Sequence, residues 1–331
     1  MLIKPTGFKN LIAIKNGKIE NIPNMVLRKP LGRKEQDKRI SKNSLCIVCT
    51  YLFKEQKLDW SENIKAVCHP FREISIFPKG LKTFLFSESD FCDALVSPVK
   101  YKMNGWGNKE YDFVYFTINT THGIRNKGLY LLPLINKIAG EIGLKGLVID
   151  YRTKEIKNKY KGVFSKAYEK MQKEWKGIRN LKIINKKYST EEVCAIMLSS
   201  KFVLYPNTAD ASPRLLTEAI IRGKPVLVNS SIYGGWKYIN DKTGRFFDAP
   251  SIKEFLKDNY KKDYETGLRN AMLEILKIDS SKVASTFYEE YGFLNASKKL
   301  AEIFNEINGT NYDAIAYEEW SRALKKVKDL I

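Results

Sequence analysis

The chain has 331 residues, 44% hydrophobic and 28% charged, an ordinary globular composition and enough length for two domains with cores of their own. No apolar run reaches the ~18 residues that a membrane-spanning helix needs, and the opening MLIKPTGFKN lacks the apolar stretch of a signal peptide; the expected place is the cytoplasm, or at most the surface of a membrane. The net charge of +20 falls almost wholly before Lys201 and is dense over 151–187, a surface that attracts nucleic acid, anionic lipid or a phosphorylated substrate without choosing among them.

Residues 28–43 are polar and read as a loop. Strand-like runs follow at 45–53, 64–69 and 82–87. Cys46 and Cys49 have C-x-x-C spacing, yet strand positions three apart face opposite ways and no second pair follows. Reduced core thiols are therefore expected for these two and for Cys68, Cys92 and Cys194. SESDFCDALV (87–96) reads as a short helix that Ser89 or Asp90 caps. KMNGWGNKEY (102–111), rich in Gly and Asn, reads as a domain linker.

A regular alternation begins at 112. DFVYFTI (112–118) is a strand, 122–128 a loop, 129–143 a helix and 144–150 a strand. The basic segment 152–177 holds a helix, 181–184 a strand, 189–200 a helix that Ser189 caps, and 201–207 a strand. A helix over 212–223 stops at Gly223, and 225–229 is a strand. Such alternation predicts a parallel, doubly wound sheet with ligand bound at the carboxyl ends of its strands. Residues 251–331 read mostly as helices.

The densest chemical pattern is ADASPRLLTEAIIRGKPVLV (209–228). Ser212 is placed to cap the helix and Pro213 to occupy its first position, which leaves free N–H groups and a partial positive charge for an anion. Arg214 in the first turn opposes that dipole and points to an anion nearby. Asp210 lies just before the helix start. Glu218 lies five residues past Pro213, roughly 8 Å along the axis. Carboxylates accept hydrogen bonds from sugar hydroxyls, and a nucleotide sugar carries hydroxyls on both sides of its diphosphate.

The stretch resembles the acid-x7-acid signature of the group 1 glycosyltransferases (family 4), retaining enzymes of GT-B fold. Glu218, Ala219, Gly223, Pro225 and Val226 match; the first acid is Asp210 where the family has glutamate. STEEVCAIMLSSKFVLYPN resembles the family's approach to that signature, and YGGWKYINDKTGRFFD (233–248) its Gly-Gly turn and following strand. Lys127 and Gly128 match the Lys-Gly of the family's diphosphate loop; Arg125 is near the family's Arg but not at its offset. The resemblance spans 112–250.

It implies an α/β protein of two Rossmann-like domains with parallel doubly wound sheets and a helical C-terminal tail. Residues 1–110 form a reduced acceptor-side domain, 111–250 the nucleotide-sugar-binding domain, and 251–331 helices that pack back on the N-terminal domain. It implies a hexosyl- or pentosyltransferase that moves sugar, with retention, from a nucleotide-diphosphate donor to a hydroxyl of a glycan, lipid-linked or other acceptor. Asp210, Glu218 and His69 are the expected catalytic residues, His69 because it ends the strand IKAVCH facing the donor sugar. Arg125, Lys127, Gly128, Ser212, Pro213 and Arg214 would bind the diphosphate, and Lys187 and Tyr188 the base. Ser87, Glu88 and Asp90 are expected on the acceptor side. His122 and the Gly234–Gly235 turn are further loop candidates. No metal or cofactor is implied, and no Asp-x-Asp occurs.

Two alternatives stay open. The charge, with the mixed basic and aromatic run KNKYKGVFSKAYEKMQKEWKG (157–177), suits a nucleic-acid-binding protein or a DNA-modifying glycosyltransferase, although nucleic acid is the less expected partner. The short first acid suits a donor-binding protein without catalysis. The basic surface also fits an anionic membrane. Richness in Lys and Asn fits an AT-rich genome, a viral one among them.

Overall fold

The computed structural model describes residues 11–22, 44–47, 60–92, 111–151, 162–175, 177–257 and 262–317. The loop at 28–43, Cys49, nearly all of the linker at 102–111 and the first half of the basic segment lie outside them. Contacts divide the chain into two compact units. One comprises Met1–Leu2, Val99–Asp210 and Glu218–Phe287; the other Ile3–Pro98, Ala211–Thr217 and Tyr288–Ile331.

The first unit is built on six parallel strands: β6 (Tyr111–Thr117), β7 (Gly146–Asp150), β8 (Leu181–Asn185), β9 (Ser200–Tyr205), β10 (Val226–Asn229) and β11 (Gly244–Phe247). Their order is β11-β10-β9-β6-β7-β8. The four inner strands are short apolar runs with almost every residue buried, as expected of strands covered on both faces. Helices α1 (Thr121–Asn126), α2 (Leu132–Glu141), α3 (Val163–Trp175), α4 (Thr190–Leu198) and α5 (Arg214–Ile220) connect them. α2 buries Leu132, Leu134, Ile135, Ile138 and Ala139, the helical spacing read from 129–143. Pro133 in its first turn separates it from a 3-10 turn at Leu129–Leu131. Beyond β11 lie α6 (Ile252–Leu256), α7 (Lys262–Ile275) and α8 (Ser280–Glu290). Phe255, Leu268, Met272 and Ile275 from α6 and α7 join the same core as Leu131, Ile135 and Leu204. Burial of each such side chain contributes about 1.5–3 kcal/mol.

Two boundaries differ from the sequence reading. Residues 122–128 are not a loop: α1 starts after Thr120, whose side chain accepts a hydrogen bond from Gly123 N, so the glycine that suggested a loop lies inside the first turn. The helix expected over 212–223 spans only Arg214–Ile220. The carbonyl of Pro213 accepts from Leu216 N and Thr217 N, which makes Pro213 the residue before the helix and not its first position. Ser189 caps α4 as expected, in a capping box with Glu192.

The second unit has β3 (Ser44–Ile47), β4 (Ile64–His69) and β5 (Lys82–Leu85) in a parallel sheet ordered β3-β4-β5. A second sheet, β12-β1-β2, joins β1 (Leu11–Lys15), β2 (Lys18–Ile22) and β12 (Ala314–Tyr317), all antiparallel. Neither β1, β2 nor β12 was expected. β1 and β2 form a hairpin across Asn16 and Gly17, both at positive φ (48° and 71°), the geometry that an Asn-Gly turn supplies. β12 returns after α9 (Phe293–Asn308), whose Phe293, Ala296, Leu300, Ile303 and Phe304 share a core with Leu11, Ile14, Phe86, Phe91 and Ile315. The expected helix at 87–96 is a 3-10 turn, Glu88–Phe91, and its cap is Ser87, not Ser89 or Asp90. Cys68, Cys92 and Cys194 are buried and form no disulfide. Among the described residues no helix is long and apolar enough to cross a membrane.

Candidate functional site

Strand order places the site. In the first unit β6 is followed through α1 and α2 to β7 on one side, whereas β9 lies on its other side, so the winding reverses between β6 and β9. Loops leaving such a pair of strands diverge and leave a crevice at their carboxyl ends. The segment after β6 carries Lys127 and the segment after β9 carries Asp210. Lys127 Nζ meets Asp210 Oδ2 at 3.1 Å, with 30% and 20% of the two side chains exposed.

The backbone holds both residues. Gly128 has φ +69°, and a Cβ there would lie 2.3 Å from the carbonyl oxygen of Pro206, so only glycine lets the chain turn this close after Lys127. Tyr115, fully buried in β6, donates its hydroxyl to the Lys127 carbonyl at 2.7 Å. Thr208 N and Oγ1 donate to the carbonyls of Asn126 and Arg125. Gly234 N donates to the Asp210 carbonyl at 2.8 Å, which gives the Gly-Gly turn a structural task. At the start of the β6 loop, Asn119 N donates to the buried Asp150 carboxylate, and Gln172 of α3 donates to Asn119 Oδ1, each at 2.8 Å.

Asp210 Oδ2 also accepts from Tyr205 Oη at 2.7 Å and from Asn207 Nδ2 at 3.1 Å. Burial alone would raise its pKa. The Lys127 ammonium, the Tyr205 hydroxyl and the Asn207 amide outweigh that and hold the carboxyl below its ordinary range. Burial, then the adjacent Asp210 charge, push the Tyr205 phenol far upward, so it stays protonated and donates. His122, an exposed residue of α1, has Nδ1 2.9 Å from Asn126 Nδ2. Partial burial of its ring, then Lys127, hold it below the ordinary histidine value and leave it neutral at pH 7.

Glu218 is nine-tenths buried. Its charge adds to the rise of the Tyr151 and Tyr205 phenols, where burial is the leading cause. Tyr188, after β8, is buried and carries Lys186 over its ring at 4.7 Å, whereas Lys187 is exposed. Arg125 goes elsewhere: its guanidinium sits 5.8 Å from the Phe164 ring and lines a cavity of about 560 Å³ with Tyr130, Asn229, Lys253 and Tyr264, which neither Lys127 nor Asp210 lines.

The remaining candidates lie in the second unit. Ser212 Oγ is within hydrogen-bond reach of Ser87 Oγ (3.2 Å) and Ser89 Oγ (2.9 Å), so it is engaged by serines and not in a cap. Pro213 is buried; Arg214 is half-buried and its carbonyl lies 3.8 Å from Cys92 Sγ. Ser87 N donates to Asp90 Oδ2, and Ser87 Oγ accepts from Ser89 N, a capping box with Glu88 in its first turn. His69 is 3% exposed and packs against the rings of Phe71 and Phe77.

The sequence reading missed Tyr205, Asn207 and Asp150. Tyr205 had a legible signal: a phenol ending a buried strand, five residues before an acid, must find an acceptor. Asp150 had none, because its partner is a backbone N–H on a neighbouring strand end.

No protein-family model matches the sequence, and no curated protein does either. Solved structures do match. Sucrose-phosphate synthase from Thermosynechococcus elongatus aligns with a TM-score of 0.53 at 12% identity, over 84% of this chain and 71% of that one. S. aureus TarM, solved as a mutant with UDP, aligns at 0.50 and 15% identity, over 81% of this chain and 51% of that one. The lipopolysaccharide outer core galactosyltransferase WaaB aligns at 0.50 and 13% identity, over 83% and 71%. The chain spans from 51% to 65% of the length of several matched structures. The likeness is one of fold, and the fold is GT-B, that of the group 1 glycosyltransferases.

Proposed function

We propose that the chain is a retaining glycosyltransferase that moves a sugar from a nucleotide-diphosphate donor to a hydroxyl acceptor. The observation that carries this is the Lys127–Asp210 pair at the point where the winding of a GT-B sheet reverses. Departure of a nucleoside diphosphate builds negative charge on its phosphates. A fixed ammonium stabilises that charge, and losing one such donor costs about 10²–10³ in rate. Lys127 takes this role. Glu218 accepts from the ribose hydroxyls of the nucleotide, and Asp210 from the transferred sugar. Tyr188 stacks on or borders the base. The chemistry runs without a divalent metal. The basic face before Lys201 draws a phosphorylated or lipid-linked acceptor, and a membrane surface with it.

A thermal-shift screen against nucleoside diphosphates and nucleotide sugars tests the reading. One nucleotide family at a hundred times its Kd should stabilise the protein by about 2.7 kcal/mol. Glu218→Ala and Lys127→Met should each abolish that gain. No stabilisation by any nucleotide would end the proposal, and a gain that survives Lys127→Met would put the nucleotide elsewhere.

A further inference from the structure

Asp210 is held by three donors, all of them on one side of its carboxylate. Its two oxygens are not equivalent. Oδ2 accepts from Lys127 Nζ, Tyr205 Oη and Asn207 Nδ2. Oδ1 accepts from no described residue, and the side chain is 20% exposed, so the open side of the carboxylate is Oδ1. The two neutral donors are themselves immobile. Tyr205 is 3% exposed at the end of β9, and Asn207 is 1% exposed in the segment just after it. The buried Oδ1 of Asn207 accepts from no described residue. Turning that amide over would set Oδ1 against the carboxylate of Asp210, so the amide keeps Nδ2 on Asp210 at the expense of a satisfied oxygen.

We infer that Tyr205, with Asn207, is a positioning residue: it pins Asp210 by Oδ2 so that Oδ1 and the Lys127 ammonium face one ligand together. A longer acid would reach the ligand by its own length. Here the short acid is brought to a fixed place by a phenol from the strand beneath it, and the acid in turn fixes the lysine. One carboxylate oxygen is thus spent on geometry and one is left for a hydroxyl. The ammonium likewise spends one N–H on Asp210 and keeps the others for phosphate oxygens. Among the described residues, the titratable groups around the carboxylate are His122 of α1, Lys127 just after it, Tyr205 from β9, and Glu218 of α5, whose charge acts on Tyr205. The ligand's identity rests on the sugar-transfer reading above; the pinning of Asp210 does not.

The test uses the full chain labelled with [13C]aspartate, with the Asp210 carboxyl resonance assigned by its loss in Asp210→Asn. Its midpoint is followed against pH in the native chain, in Tyr205→Phe and in Asn207→Ala, and UDP binding is measured by calorimetry. Removal of the phenol hydroxyl should raise the midpoint by about one pH unit and weaken UDP about tenfold. Asn207→Ala should do the same to a smaller degree. A folded Tyr205→Phe whose Asp210 midpoint stays put overturns the inference, as does a moved midpoint with UDP affinity unchanged in a chain that binds UDP. If Tyr205→Phe fails to fold, the Asn207→Ala midpoint decides alone. A native chain that binds no nucleotide, yet shows the moved midpoint, overturns the sugar-transfer reading and supports the role of Tyr205.

Discussion

Each unit of the molecule holds a carboxylate in a loop after a parallel strand, and the two have opposite fates. In the second unit Asp90 follows β5 and turns inward: it accepts from Ser87 N, is 3% exposed, and closes a capping box. In the first, Asp210 follows β9, is held on one oxygen and stays open on the other. The same contrast separates two ion pairs of similar length. Lys82–Glu306 at 2.9 Å has both side chains more than half exposed, while Lys127–Asp210 at 3.1 Å is seated among buried donors. Sequence position and distance do not tell an acid held on one oxygen from one folded into its own turn. What its other oxygen faces does.

The contrast can be broken at several points. Gly128→Ala should have the largest effect, because the new Cβ meets the Pro206 carbonyl in a backbone conformation that alanine avoids. We expect a loss of about 2–3 kcal/mol in urea unfolding, together with lost nucleotide affinity as Lys127 shifts. Asp90→Ala, which removes the N3 half of the capping box, should cost about 1 kcal/mol with nucleotide affinity held; a selective loss of transfer at unchanged stability would return Asp90 to the acceptor side. Lys82→Ala should change stability by no more than about 0.5 kcal/mol, since exposed pairs of good geometry contribute little. A larger drop would mean that exposure misjudges such pairs here.

How much of this was legible depends on the range of the interactions. The four inner strands of the six-stranded sheet were readable because they are buried on both faces and appear as apolar runs between helices with the right period. Lys127 and Asp210 were readable as types in a pattern, though 83 residues separate them. Ser212 was misread, because a serine before a proline looks like a cap unless one knows that Ser87 and Ser89 compete for its hydroxyl. Arg125 was placed with Lys127 by nearness in sequence, yet two residues along a helix turn a side chain to the other side. The β1–β2 hairpin has a legible signal in Asn16-Gly17, although neither of its strands was expected. β12 was not legible, since four residues carry no period and their partner lies at the far end of the chain.

That last pairing has a consequence for how the protein is made. Leu11–Ile14 cannot complete their sheet until Ala314–Tyr317 have left the ribosome, and the shared core waits for α9 as well. The strands from Tyr111 to Phe247 need no such partner and can assemble while translation continues. Leu11–Lys15, the earliest of the described strands, is therefore among the last to be enclosed. During that interval its apolar edge is exposed to other nascent chains, so factors that shield emerging polypeptides should matter more for residues 11–22 than for the strands from Tyr111 to Phe247.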